Sequence, residues 1–236
     1  MKSAAIIVSA GKGYRFPGEK KKQFLSLAGK PLLCHTLDRF EASPSIGAIH
    51  LVVGREDMDY TLKEIVEAYG YQKVSKIVPG GRSRQESVKN GIYSLSPGVD
   101  VVVIHDGVRP FVTQRMIEES IQTARQFKAA VVAMPVKETI KMVGQDRTVL
   151  RTLDRESLWQ IQTPQTFQLE VIKLALQKAT EDGFLGTDDA SLVERIGIKV
   201  YILTGSYTNI KITTPEDLIL ASLILQAEVN AGGERP

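Results

Sequence analysis

The stretch AAIIVSAGKGYRF, residues 4–16, opens the chain with an apolar run, a glycine turn and a cation, and EKKKQFL, residues 19–25, adds three consecutive lysines. The run Ala4 to Val8 reads as a buried strand. Ser9, Ala10, Gly11 and Gly13 then supply small residues where backbone N–H groups approach an anion closely, with Arg15, Lys20, Lys21 and Lys22 beside them. Two familiar phosphate loops do not fit. A Walker loop needs Gly-Lys-Ser/Thr five residues after its first glycine, whereas Gly11 is followed by Lys12, Gly13, Tyr14 and Arg15; a dinucleotide fingerprint needs a small residue where Phe16 stands. An ordinary strand-to-helix turn with solvated lysines is the alternative, and this segment alone leaves both open.

Working outward, strand-like runs recur at Ala4 to Val8, Ile49 to Val53, Lys76 to Val78, Val101 to Ile104, Ala129 to Ala133 and Lys199 to Leu203. Helical spacing of apolar residues predicts helices over Pro31 to Ala42, Asp59 to Tyr69, Ser83 to Ser94, Thr113 to Phe127, Leu169 to Thr180, Asp188 to Ile196 and Pro215 to Glu228. Strands alternating with helices mean an α/β sandwich with a mainly parallel sheet. One interval breaks the rhythm: Thr139 to Val143 and Thr148 to Thr152 read as a projecting hairpin around Gly144, Gln145 and Asp146. An isolated hairpin is marginal in water, so a second copy of the chain is its simplest partner, packing on its own domain being the alternative. No linker-like tract divides the 236 residues, so one domain is expected.

Composition narrows the function classes. The net charge is +3, no basic block is interleaved with aromatics, and aromatic residues make up only 6%, which points away from nucleic acid and leaves anionic metabolites. Cys34 is the one cysteine and there are three histidines, so neither a disulfide nor a zinc-type ligand set is available. With no signal-type opening and no apolar run long enough for a membrane span, the expected location is cytoplasmic.

In open α/β sheets ligands sit at the carboxyl ends of strands. Gly11, Gly13, Arg15 and Lys22 follow the first strand, Gly81, Ser83, Arg84 and Ser87 the third, and Asp106 and Arg109 the fourth. Asp106 ends the run VVVIHD, a position suited to magnesium, which takes few carboxylates and completes its shell with phosphates and water; a turn cap or a pair with Arg109 alone is the plainer alternative. In PGGRSRQES, residues 79–87, Ser83 caps the next helix and Arg84 would reach a base or its phosphates. His105 and Trp159 read as packing residues.

Together, SAGKGYRF, KKKQFLSLAGKPLL, GGRSRQESVKNG, HDGVRPF, PVKETIK, LDRESLWQIQTPQTF, TDDASLVE and NIKITTPEDL resemble, in this order, the 2-C-methyl-D-erythritol 4-phosphate cytidylyltransferases. Ser9 and Phe16 stand where that family usually carries alanine and methionine. The resemblance implies a Rossmann-like nucleotidyltransferase sandwich with a β-arm over residues 136–159, through which a homodimer forms and Thr139 reaches the other chain's site. It implies transfer of CMP from CTP to a phosphorylated polyol with Mg²⁺, ribitol 5-phosphate cytidylyltransferase being the neighbouring alternative and a non-catalytic nucleotide-binding module the alternative of another class. Carried onto this chain, the resemblance makes Arg15 and Lys22 catalytic. Ser9, Ala10, Gly11, Gly13, Gly81, Arg84, Ser87 and Asp106 would bind nucleotide, Asp106 also supporting the metal. Arg109, Thr139, Arg155, Thr187 and Lys211 would position the polyol phosphate.

Overall fold

The computed structural model describes residues 2–11 and 21–233. In chain order the first half holds β1 (Lys2–Ser9), β2 (Ser26–Leu27), β3 (Lys30–Pro31), α1 (Leu32–Glu41), β4 (Ala48–Val53), α2 (Met58–Tyr60), β5 (Val74–Pro79), α3 (Arg84–Tyr93) and β6 (Val99–Asp106). The second half holds α4 (Gln114–Phe127), β7 (Ala129–Pro135), β8 (Lys141–Val143), β9 (Val149–Thr152), β10 (Trp159–Gln168), α5 (Leu169–Glu181), α6 (Asp189–Arg195), β11 (Tyr201–Thr204) and α7 (Pro215–Gly233).

Seven strands form one sheet in the order β11-β7-β10-β6-β1-β4-β5, parallel except for β10, which runs antiparallel to both β6 and β7. The apolar runs lack alternation because both faces are covered. On β1, Ala5 and Ile7 pack with Leu33, Leu37 and Phe40 of α1 and Ile117 and Ile121 of α4, whereas Ile6 packs with Val88 and Ile92 of α3 and Ile172 and Leu176 of α5. Successive strand residues thus enter opposite cores, which makes a three-layer Rossmann-like sandwich. Each large side chain buried this fully contributes about 1.5–3 kcal/mol relative to exposure. A third core, Leu27, Leu32, Val108, Phe111 and Ile212, seats α7 through Ala221.

Local chemistry sets the helix starts. Ser83 accepts from the Glu86 amide at 3.0 Å, Thr113 from the Met116 amide at 3.2 Å, and Asp188 from the Ser191 amide at 2.9 Å. The helix expected over Asp59 to Tyr69 begins as α2 but continues through Thr61–Glu67 with π-helical hydrogen bonding. β10 is a central strand that apolar periodicity did not predict. Among the described residues no helix is long and apolar enough to cross a membrane.

The strands β8 and β9 pair only with each other, and every residue in them is exposed. The hairpin is shorter at its start than expected, because Thr139 and Ile140 precede the first strand. It carries apolar side chains into solvent, with Val149 and Leu150 59% and 62% exposed.

Candidate active site

The chain order β1, β4, β5 moves one way across the sheet before β6 returns to the other side of β1, so β1 and β6 flank the topological switch point, where open α/β sheets bind ligands. A cavity of about 520 Å³ lies there, lined by the ends of β1 and β6, the segment after Lys21 and the start of α3.

Ser9, Ala10 and Gly11 form the first wall. The Ser9 carbonyl accepts from the buried Gln23 side chain at 3.0 Å, and the buried Ser9 hydroxyl has no partner. Lys21 is tied to Glu56 and Asp57, which anchors the chain immediately before Lys22, a cavity-lining residue. Two glycines differ in what they make room for. A Cβ on Gly80 would lie 2.3 Å from the Ala10 Cβ, whereas one on Gly11 would meet nothing within 4 Å. Gly11→Val is therefore expected to leave stability within about 0.5 kcal/mol while filling the space a ligand uses. Gly80→Ala is expected to cost about 1–3 kcal/mol through overpacking. Urea unfolding beside calorimetric binding of CTP, the nucleotide that the resemblance implies, separates the two.

The second wall is the start of α3, and its polar groups are already engaged. The Gly81 amide donates to the Ser87 hydroxyl at 3.0 Å, which itself donates to the Ser83 carbonyl at 2.9 Å, and the Arg82 amide donates to Glu86 at 2.7 Å. Gly81 and Ser87 thus shape the cavity, while the reach of Arg84 toward a base expected from sequence is met differently. Its Nε donates to Asp106 at 3.2 Å and its Nη1 to Asp189 at 2.8 Å.

Asp106 is the centre of this wall. Lys211 Nζ lies 2.8 Å, Arg84 Nε 3.2 Å and Arg109 Nε 3.5 Å from its carboxylate oxygens, so the plainer alternative of a pair with Arg109 alone does not describe it. Burial by itself would raise the Asp106 carboxyl, but Arg84, Lys211 and Arg109 override it and hold the group well below the usual carboxylate range. Asp189, 1% exposed, goes the other way: burial pushes it up against the pull of Arg84. Burial lowers Arg109, with Asp106 opposing. Its Nη1 donates to the Asn209 carbonyl at 2.9 Å. The cluster holds three cations against Asp106 and Asp189, an excess positive charge beside a cavity whose described lining contains one carboxylate. That is the electrostatics of a polyanion site.

A divalent ion fits this donor set in one way. Among the described residues no group of three or more acidic, histidine or cysteine side chains could cage a metal. Among the described residues Asp106 alone presents a carboxylate to the cavity, which suits magnesium carried on phosphates and not an ion held by the protein.

Of the residues singled out from sequence, Ser9, Ala10, Gly11, Lys22, Gly81, Arg84, Ser87, Asp106 and Lys211 line the one cavity. Gly13 and Arg15 lie outside the described residues. Arg109 stands behind Asp106, and Thr187 is exposed on the loop before α6. Thr139 is exposed beside the hairpin, and Arg155 donates to the Lys137 carbonyl at 3.0 Å; neither lines its own chain's cavity. Sequence reasoning passed over Gln23 and Asp189, whose value lies in contacts distant in the chain.

Against known proteins, the family model described as 2-C-methyl-D-erythritol 4-phosphate cytidylyltransferase matches residues 3–227. A protein of that name from Pelotomaculum thermopropionicum is 46% identical over 98% of this chain and 99% of its own. One from Caldanaerobacter subterraneus is 47% identical over 96% of this chain and 100% of its own. The crystal structure of a 4-diphosphocytidyl-2C-methyl-D-erythritol synthase from Anaerococcus prevotii superposes with a TM-score of 0.85 at 34% identity, covering 95% of this chain and 98% of that one.

Proposed function

We propose how the cavity works from one premise: the chain belongs to the 2-C-methyl-D-erythritol 4-phosphate cytidylyltransferase family. It transfers CMP from CTP to 2-C-methyl-D-erythritol 4-phosphate, releasing pyrophosphate. The observation that carries the mechanism is the gathering of Lys22, Arg82, Arg84 and Lys211 on a cavity where, among the described residues, Asp106 is the one carboxylate.

The nucleophile is an oxygen of the acceptor's phosphate, which is largely ionised at neutral pH, so no general base is needed. Its bond to the α-phosphorus of CTP forms as the bond to the β-phosphate oxygen breaks, and pyrophosphate departs with that electron pair. The protein's task is to bring two anions together and to stabilise the charge that builds on the phosphorus oxygens and leaving group. Lys22 and Arg15 would stabilise the triphosphate; Lys211, on the cavity wall, would hold the acceptor's phosphate, with Arg109 supporting from behind Asp106 and Thr187 contributing from the loop before α6. Ser9, Ala10 and Gly11 border the space for the nucleotide, Gly13 would assist in binding it, and Gly81, Arg84 and Ser87 shape its wall. Asp106 would be the protein's ligand to a magnesium ion carried in on the triphosphate, which withdraws charge from phosphate oxygens.

The β8–β9 arm makes the enzyme a homodimer. Its support is the exposed Met142, Val143, Val149 and Leu150, and the position of Thr139 and Arg155 away from their own cavity. From the arm they would serve the partner's acceptor. Mixing Lys22→Ala with Arg155→Ala chains, under subunit exchange, is then expected to restore about a quarter of wild-type activity, since half the dimers are mixed and each mixed dimer has one undamaged site. Additive, unrestored activity would contradict the shared site. The unpaired, buried Cys34 is suited to the reducing cytoplasm in which we place the enzyme.

Pyrophosphate release with 2-C-methyl-D-erythritol 4-phosphate and ribitol 5-phosphate in parallel tests the acceptor. Selective turnover of the first is expected; preference for the second would keep the mechanism and change the substrate.

A further inference from the structure

At the end of β6 the sheet changes how it satisfies its backbone. The ladder of β10 with β6 ends at Gln165 opposite Ile104, and its ladder with β7 shifts register between Ile161 and Gln165. Beyond that pair β10 offers Pro164, which has no N–H, and Thr163, which answers with its side chain. The Asp106 amide donates to Thr163 Oγ1 at 3.1 Å. Thr163 Oγ1 lies 3.0 Å from His105 Nδ1, and His105 Nε2 lies 3.0 Å from the Arg109 carbonyl oxygen.

The chemistry of these atoms assigns every proton. A carbonyl oxygen only accepts, so Nε2 carries the hydrogen. His105 is fully buried against the Phe40 ring, and of the two groups bonded to Thr163 Oγ1 the Asp106 amide can only donate, so the hydroxyl hydrogen is directed to Nδ1, which accepts it. The Thr163 hydroxyl therefore accepts from Asp106 and donates to His105. The same turn is closed by the Arg109 amide, which donates to the Asp106 carbonyl at 3.1 Å. A second loop of bonds returns to Thr163, since Asn209 accepts from Arg109 through its carbonyl and donates from its side chain to the Thr163 carbonyl at 3.0 Å.

We propose that Thr163 and His105 are positioning residues for the transfer reaction: the one-way chain from the Asp106 amide through Thr163 and His105 to the Arg109 carbonyl holds Asp106 and Arg109 side by side. The proposal rests on the reading of these two side chains as serving the substrates. His105 is then a polar strut with one permitted tautomer, where sequence alone made it a packing residue.

The test joins a spectrum with kinetics. Long-range ¹⁵N–¹H correlation on the substrate-free protein is expected to show His105 neutral, with Nε2 protonated and Nδ1 in the imine range. Thr163→Val keeps the shape and removes the hydroxyl; it is expected to lower kcat by roughly 10- to 100-fold with KM for CTP within about twofold, because a misplaced but intact group loses transition-state contact. Thr163→Ser is expected to retain kcat within about threefold, since it keeps the hydroxyl. A proton on Nδ1 in the wild type, or a Thr163→Val enzyme with undiminished kcat, overturns the proposal. Should Thr163→Val not fold, the wild-type spectrum and Thr163→Ser decide, with a wild-type kcat in Thr163→Ser supporting the relay and a fall of 10-fold or more, as large as the valine variant's expected loss, overturning it. Because the spectrum needs no substrate, an Nε2-protonated protein that ignored CTP would fail the cavity's functional reading and leave the strut intact.

Discussion

Replacing Lys22 by alanine lowers kcat/KM for CMP transfer by about 100- to 1,000-fold, the effect expected when one preorganised charge donor is taken from a developing oxyanion. Lys22 lines the cavity at the start of a short 3-10 turn, Lys22–Phe24, whose Gln23 is buried and bound to the Ser9 carbonyl. Its backbone is therefore held by β1, which in the proposed mechanism would deliver its ammonium to the anion. The adjacent Lys21 provides the contrast. It is spent on Glu56 and Asp57, so Lys21→Ala is expected to cost no more than about 1 kcal/mol, or roughly fivefold, in rate. Lys22→Arg restores charge but not the compact ammonium, and partial recovery is expected. Steady-state pyrophosphate release by the three variants checks the set; equal losses for Lys21→Ala and Lys22→Ala would mean that the lysine run acts only as a diffuse field.

The second large effect is on stability. Arg84→Leu leaves Asp189 buried without its guanidinium and removes one of the three cations on Asp106, and is expected to destabilise the fold by about 3–5 kcal/mol. Asp189 is 1% exposed and already raised by burial, so without Arg84 it has either to carry an unpaired buried charge or to take up a proton. The sign with pH follows. A carboxyl raised in the folded state penalises folding once pH exceeds its unfolded value, so the gap between Arg84→Leu and wild type narrows as pH falls toward the ordinary carboxylate range. Arg84→Leu with Asp189→Leu removes both members and is expected to regain most of the loss. Urea unfolding at two pH values with this double-mutant cycle measures the coupling; an additive double variant would show that Arg84 and Asp189 do not depend on each other.

Much of this architecture was legible because burial on two faces writes continuous apolar runs. β1, β4 and β6 announced themselves in this way, and Ser83 and Thr113 marked their helix starts through side chains that cap within three residues. β10 was not legible, because WQIQTPQTFQ hides its buried positions behind polar residues satisfied at a distance. Gln165 bonds Asp188 and the amides of Asp189 and Ala190, Thr166 bonds Ser120, and Gln162 bonds the Ser206 carbonyl. Hydropathy scores such residues as surface, and their partners lie far along the chain. The π-helical turn is likewise absent from a 3.6-residue pattern.

The site divided along the same line. Residues just beyond strand ends could be ranked from sequence, since topology puts those ends together. What those residues touch could not. Arg84 looked like a ligand-facing cation and is a clamp between two carboxylates; Asp106 read as a magnesium-suited carboxylate or a partner of Arg109 alone and is the hub of three cations. Such roles arise from side chains converging from β6, α3, α6 and the segment around Lys211, a convergence that sequence spacing does not encode.

The most direct measurement follows the oxygen atoms. With 2-C-methyl-D-erythritol 4-phosphate bearing ¹⁸O in its phosphate, CTP and Mg²⁺, ³¹P isotope shifts are expected to place the label on both phosphorus atoms of the new diphosphate, through its bridging oxygen, and to leave pyrophosphate unlabelled. Label in pyrophosphate, or a bridge carrying the oxygen of CTP, would contradict attack by the acceptor phosphate on the α-phosphorus.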